Sequence, residues 1–473
     1  MSGPEDGRTA SESATPLDAQ DPGGAETVAA RRLSVKERAP LWNVRMHARE
    51  TLAHSLVIVP TMYLLAAVLS GIVVPAIDRN GTGGGFLGVT PDEAQSILES
   101  IAAGMIAFSG LVVSVAVLVI QFGAGQYSPR LVPSFRSDAV IKNALGLFVA
   151  PGVYALVATA NLGGSSTDRV GTATVLFALG LMVAALIALF RFIGRLLELM
   201  RPRRIYASLL RRFVLAVDDV YPQSGAAGIE LRPLSIAPVS STLRHRHRNE
   251  LLIGVDRARL VKAARAAEVL IEVTAPIGCH VGDDAPILLI RGGSSVDPTA
   301  LQGALTFADG RRLREDPAFA IRCTVDVAIR ALSPAVNDPT SAVEGLDALE
   351  AMLLRLGRRP LQSSAIEDDQ GEVRLLLPSP DWDELVDLAL TEIRRYGADA
   401  PQVARRMMAV LDRLTASLAS ERHGALIRHR HALELSLARI YDDPAELAFV
   451  STADYVGIGG TRRRQRREQD EDA

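Results

Sequence analysis

Lysine is almost missing from this 473-residue chain: Lys36, Lys142 and Lys262 are the only three, and none follows a glycine. A Walker-type phosphate loop needs Gly-Lys-Ser/Thr to set an ammonium among backbone amides, so that chemistry is excluded. Cysteine is scarcer still. Cys279 and Cys323 both fall in a region expected on the reducing, cytoplasmic side, so they read as free thiols rather than a disulfide framework. The sequence also lacks His-Glu-x-x-His, Cys-x-x-Cys and Gly-x-Ser-x-Gly, the spacings that would mark a zinc hydrolase, a dithiol site or a serine elbow. The chain is therefore expected to be no enzyme, and no cofactor or metal is implied. An excess of one charge is missing too, since the formal net charge is −3, which argues against nucleic acid as a partner. The preference for arginine and alanine reads as a high-GC bacterial coding bias and carries no functional weight.

What the chain does have is apolar residues, unevenly placed. They make up 48% of it, mean hydropathy is +0.19, and four long uncharged runs lie in the first 200 residues: 51–77, 100–129, 143–167 and 170–190. Each exceeds the roughly 18 residues needed to cross hydrocarbon, so the bilayer is the first partner. Cations set the orientation. Arg31, Arg32, Lys36, Arg38, Arg45 and Arg49 precede the first run; Arg130, Arg136 and Lys142 lie between the second and third; Arg191, Arg195, Arg201, Arg203 and Arg204 follow the fourth, against only Arg79 and Arg169 in the other two loops. Both termini are thus expected in the cytoplasm of a bacterial inner-membrane protein. The two outer loops are short, with glycine at 83–85 and 163–164, and leave no room for an external binding domain.

The expected organisation is a disordered tail at 1–38, a four-helix transmembrane domain at 39–202, a cytoplasmic β-rich domain at 203–293, a mainly helical domain at 294–448 and a charged tail at 449–473. The fold class is accordingly an α-helical membrane protein with four transmembrane helices, followed by a cytoplasmic α+β region that opens as a small β-barrel or sandwich. An amphipathic helix at 205–220 leaves the membrane and stops at Tyr221-Pro222. Strands are expected at 229–239, 251–255, 269–274 and 286–290, with Asp256 capping a helix to about 267 and a turn at Pro276-Ile277-Gly278. Beyond 293 only a polar loop near 363–371 interrupts the helical pattern.

The densest signal is a repeated start device, Asp316-Pro317 and Asp338-Pro339: an N-cap followed by a proline whose missing amide costs nothing at the first helical position. Between them one helix runs from 317 to about 332, where Ser333-Pro334 stops it. Arg322, Asp326 and Arg330 share one face, while Ile321, Val325, Ala328 and Leu332 form a separate apolar stripe. With Arg311, Arg312, Asp316, Asn337 and Asp338 nearby, this ladder is the candidate site for a small anion or a cytoplasmic protein, because guanidinium forks suit carboxylate and phosphate oxygens. A purely structural network that fixes helix packing explains the same residues and is the favoured reading.

Two stretches resemble a known family. Gly310-Arg311-Arg312 through Asp316 with Val325-Asp326-Val327-Ala328-Ile329-Arg330-Ala331-Leu332-Ser333-Pro334-Ala335-Val336-Asn337-Asp338-Pro339, and Gln126-Tyr127-Ser128-Pro129-Arg130 with Asp138 and Gly146, are similar to the two recognisable stretches of the domain-of-unknown-function 2254 family of bacterial predicted membrane proteins. The resemblance runs from about 41 to about 448. Thr340 stands where a phenylalanine is expected, and Ile277-Gly278-Cys279-His280 is a looser version of the family's turn. The resemblance implies a membrane location and no activity.

Two further patterns are weighed. Ala103, Ala107, Gly110, Ser114, Gln121 and Gly125 form a small-and-polar stripe on the second span; it suits close packing in a homo-oligomer, the favoured reading, or the wall of a pore. The pairs His245/His247 and His429/His431 are spaced to share a metal only on strands, and their arginine-rich surroundings disfavour a cation. No Asp, Glu, Lys or Arg lies mid-span, which speaks against ion-coupled transport. The expectation is a non-catalytic oligomeric scaffold or sensor, with a channel-like protein as the alternative.

Overall fold

The computed structural model describes residues 55, 57–80, 90–126, 130, 138–162, 172–199, 201–221, 237–245, 250–293, 296, 298–308, 310–311, 316–359, 361 and 364–459. The tail at 1–38, the two glycine-bearing loops, most of the strand expected at 229–239 and the charged cluster at 462–472 lie outside these residues.

Four long helices come first: α1 (Ile58–Asn80), α2 (Pro91–Gln126), α3 (Ala139–Leu162) and α4 (Thr172–Leu199). All four are long and apolar enough to cross a bilayer. Their ends differ from the uncharged runs because caps, not charges, decide where a helix starts. Thr90 and Glu93 close a reciprocal box, Thr90 N donating to Glu93 Oε2 at 2.9 Å and Glu93 N to Thr90 Oγ1 at 3.4 Å, so α2 begins nine residues before the uncharged run. Asp138 accepts from the amides of Val140 and Ile141 and starts α3. At the other end α4 continues past Phe190 through Arg191 and Arg195, since its hydrogen bonds do not depend on the solvent.

Helix α3 sits in the middle, touching α1, α2 and α4. Small residues bring the backbones together. A Cβ added at Gly146 would lie 2.4 Å from the Tyr63 ring, and one at Gly71 would lie 2.8 Å from Val157. Phe108, Phe148 and Phe192 lock α2, α3 and α4 edge to face, with centroids 5.6 and 5.8 Å apart. Ser109 donates to Phe148 O at 2.8 Å, a hydrogen bond between α2 and α3.

Helix α5 (Pro202–Val220) follows almost at once, ended at Tyr221 as expected. Its apolar face, Ile205, Tyr206, Leu209, Phe213 and Val217, is buried in the helical core of the C-terminal region. Two sheets come next. One is five-stranded, in the order β1 (Val239–Arg244), β5 (Pro286–Arg291), β3 (Leu270–Val273), β8 (Val373–Leu377), β7 (Ser364–Glu367); the other has β4 (His280–Val281), β2 (Glu250–Val255) and β6 (Leu305–Ala308). Helix α6 (Arg257–Ala266), capped by Asp256, packs with both sheets around Leu252, Leu260, Ile271, Leu288 and Leu375. Among the described residues the five-stranded sheet is open, with β1 and β7 at its edges, so there this part is layered sheets and no closed barrel.

Helix α7 (Pro298–Gln302) and β6 lead to the helical hairpin α8 (Pro317–Ala331) and α9 (Pro339–Gly357). The loop expected at 363–371 is instead the turn of hairpin β7–β8, and β8 runs parallel to β3. Then come α10 (Trp382–Gly397), α11 (Pro401–Ser417), α12 (His423–Ile440) and α13 (Pro444–Ser451). Residues 452–459, expected as the start of a tail, fold back onto α11: the buried Arg405 donates to Thr452 O and Gly459 O, and Asp454 accepts from the amides of Val456, Gly457 and Gly459.

Candidate functional site

Helix α8 starts and stops where its sequence requires. Asp316 accepts from Phe319 N at 3.0 Å and Pro317 takes the first position. At the far end Asn337 sits at φ +47, the left-handed region that asparagine tolerates better than most. This turn lets Asn337 N donate to Ser333 O and Asp338 N to Ala331 O, while the Asp338 carboxylate caps Ser341 N at 3.1 Å. Asn337 and Asp338 are thus occupied in building the hairpin.

The mid-helix face carries an ion-pair chain that joins three distant segments. Asp326 Oδ1 accepts from Arg322, 2.7 Å from Nε, and Asp326 Oδ2 accepts from Arg130 Nη1 at 2.7 Å. Arg322 turns its other edge to Glu392 on α10, with Nη1 at 2.5 Å from Oε1 and Nη2 at 2.8 Å from Oε2. Both edges of the Arg322 fork are therefore filled by carboxylates, which hold its pKa above the ordinary value, hydrogen bonding to Glu392 first. Arg322 in turn holds the Glu392 carboxyl below its usual range. Arg130 belongs to the segment between α2 and α3, so the chain Arg130–Asp326–Arg322–Glu392 fastens the apolar bundle to the helical core. Arg330, on the same face, is exposed, and its guanidinium pairs with no described residue.

At the N-terminal end of α8, Asp316 is buried, with Arg311 Nη1 3.7 Å away. Burial pushes its pKa up to about 6 against the lowering effect of the Phe319 amide and Arg311. The turn expected at 276–278 packs on it: Gly278 has φ +89, and a Cβ there would lie 2.2 Å from Asp316 Oδ2, so only glycine fits both the backbone and the space. Arg312 lies outside the described residues. The candidate residues thus separate into two groups along one helix, Arg311 and Asp316 against the sheet layer, Arg322 and Asp326 against the bundle. Cys323 lies between them, fully buried, its thiol pushed up to about 12 by that burial.

Glu392 and Arg195 carry no sequence signal that would have marked them. Arg195 donates through Nε and Nη2 to Asp138 Oδ2 at 2.8 and 2.7 Å, tying α4 to the start of α3. Within the Gln126-to-Gly146 stretch, Gly146 packs on Tyr63, Arg130 is a tether to Asp326, and Asp138 caps α3 and holds Arg195.

On α2, Ala103, Ala107, Gly110, Ser114 and Gln121 are exposed, and a Cβ at Gly110 would meet nothing within 4 Å. The stripe faces away from the other three helices of its own chain. Gly125 lies in the last turn of the same helix. Of the histidines, His429 and His431 lie on a helix, not a strand; His429 is buried with Nε2 2.7 Å from Asp387 Oδ1, while His431 is exposed on another face. His247 lies outside the described residues. Among the described residues no group of three or more His, Cys, Asp and Glu is placed to hold a metal ion.

Comparison with known proteins agrees with this picture of a membrane protein. The family model described as Predicted membrane protein (DUF2254) matches residues 53–413. Two uncharacterized mycobacterial proteins, Mb1321c of Mycobacterium bovis and Rv1290c of Mycobacterium tuberculosis, are each 26% identical over 383 residues, covering 76% of this chain and 71% of theirs. No solved structure matches the chain.

Proposed function

The chain belongs to the DUF2254 family of predicted membrane proteins, and from that premise we propose that it is a non-catalytic coupling protein of the bacterial inner membrane, an oligomeric scaffold or sensor whose C-terminal region lies in the cytoplasm. The observation that carries this reading is the chain Arg130–Asp326–Arg322–Glu392. It is saturated with its own partners, it offers no nucleophile or general base in a cleft, and it connects the bundle to a helix whose other end holds the sheet layer through Asp316. Such a connection suits transmission of a binding event, a small anion or a protein at the C-terminal region, to the membrane helices. The cation-rich segments around Arg130, Arg191 and Arg201–Arg204 support the cytoplasmic placement.

Self-association is supported by the α2 stripe, which is too small and too polar to gain much from lipid and is left uncovered by its own chain. The same uncovered face supports the second reading, a channel lined by α2. Crosslinking and ion flux in liposomes separate them. As a scaffold, the wild type conducts nothing and Gly110→Leu disrupts the oligomer; as a channel, the wild type conducts and Gly110→Leu narrows the path. Ser114→Ala is the control that keeps the volume small.

A further inference from the structure

Two tethers fix which side of the helical core looks at the membrane. One is the Arg130–Asp326 pair, 2.7 Å, which starts only four residues after the last residue of α2. The other is the passage from α4 to α5, where only Met200 and Arg201 separate Leu199 from Pro202. These tethers meet around the α8–α9 turn. Glu344, near the start of α9, feels both Arg203 of α5 and Asp338 of that turn.

The surface between them has a distinctive composition. On α8, Arg330 follows Asp326 by one turn on the same face and is exposed; in the turn after it, Val336 is 39% exposed. On α10, Tyr396 follows Glu392 by one turn and is 56% exposed, with Arg395 exposed beside it. The side chains of Arg330, Arg395 and Tyr396 have no polar partner among the described residues. Asp326 and Glu392 are neutralised by Arg130 and Arg322, Asp338 is held at the N-terminus of α9 by Ser341, and Glu344 lies half-buried beside Arg203, so the exposed charges on the face itself are Arg330 and Arg395 against Asp399. Unpaired arginines beside an exposed tyrosine and valine match the headgroup zone, where guanidinium meets phosphate and an amphipathic ring sits at the boundary.

We propose that the face bearing Arg330, Val336, Arg395 and Tyr396 rests on the headgroups of the bilayer that its own bundle crosses, with anionic phospholipid as its partner. The face is continuous with the point where the bundle leaves the membrane, and its free charge is complementary to that surface.

The full chain tests this with one reporter. A bimane attached at Asp399→Cys, in a Cys279→Ser background, is reconstituted in phosphatidylcholine vesicles with or without phosphatidylglycerol, and quenching by a headgroup-nitroxide lipid is measured. Quenching should rise with anionic lipid. Arg330→Gln and Arg395→Gln should each lower the apposed-to-detached ratio roughly fivefold, while Arg311→Gln at the other end of α8 leaves it unchanged. Since both arginines are exposed, the variants keep the fold, verified by unchanged circular dichroism. Equal quenching in the two lipid compositions overturns the proposal. So does protection of the label from aqueous iodide in lipid-free detergent that grows with protein concentration, because a second copy would then cover this face.

Discussion

Asp326→Ala is the sharpest probe of the connection between the bundle and the helical core. The carboxylate is 15% exposed and accepts from two arginines, but the two lose unequal amounts when it goes. Arg130 is half exposed and passes to water, so its pair contributes about 0.2–1 kcal/mol. Arg322 is more buried yet keeps both contacts to Glu392, so it is never left as a bare buried charge; its loss is about 1–2 kcal/mol, short of the cost of an orphaned ion. The expected total is about 2 kcal/mol, a shift of roughly thirtyfold in the folding equilibrium. Arg130→Gln alone should cost about 0.2–1 kcal/mol, and in the double variant that cost should shrink, because Asp326 is gone while Glu392 still attracts Arg130. Denaturant unfolding in detergent, followed by fluorescence of the buried Trp382 in a Trp42→Phe background, measures all three. If the two substitutions add in full, Arg130 and Asp326 are not coupled and the connection fails. A different refutation is a variant that folds as the wild type does and gains stability from inorganic phosphate, since the two arginines would then form an anion site that Asp326 merely occupies.

Three further outcomes are expected. With the native cysteines replaced, single cysteines at Gly83 and Ser165 should react with an impermeant thiol reagent in intact cells and one at Arg136 should not; labelling at Arg136 reverses the orientation. Gly146→Ala should destabilise the bundle by about 1–3 kcal/mol, because its Cβ would collide with Tyr63, and a coupled Tyr63→Ala should recover part of it; an unaffected melting temperature removes α1 from that contact. His429 is held below its ordinary pKa mainly by burial, so the unfolded chain binds its proton more readily than the folded one. Its contribution to stability is therefore complete above about pH 6.5 and declines as pH falls through that value, and His429→Gln should flatten the stability profile between pH 7 and 5; an unchanged slope assigns the titration to another group.

The four apolar helices were legible as uncharged runs because the bilayer demands length and hydropathy before anything else, but their ends were not, since Thr90, Glu93 and Asp138 act through local hydrogen bonds that hydropathy ignores. The α8–α9 hairpin was legible down to its caps, for Asp-Pro leaves the chain little other use. Its partners were hidden by distance. Arg130 and Asp326 are separated by 196 positions, and Glu392 is one glutamate among many on an amphipathic helix. Strands β7 and β8 were missed for a related reason: each is only four or five residues long, and the strand that makes β8 worth forming, β3, lies about a hundred residues earlier.

That parallel pairing also dictates a schedule during synthesis. When β3 and β5 have left the ribosome, the side of β3 that β8 will occupy is a bare edge of strand, with Ile271 and Glu272 waiting for Leu375 and Leu376. The whole α8–α9 hairpin must be made before the covering strand exists. At about 5–20 residues per second the edge stays open for several seconds, long enough for two nascent copies on one message to zip together. A chaperone that shields extended apolar chain, or an early-folding α8–α9 hairpin that shortens the search for β3, would decide how much of the protein escapes that fate.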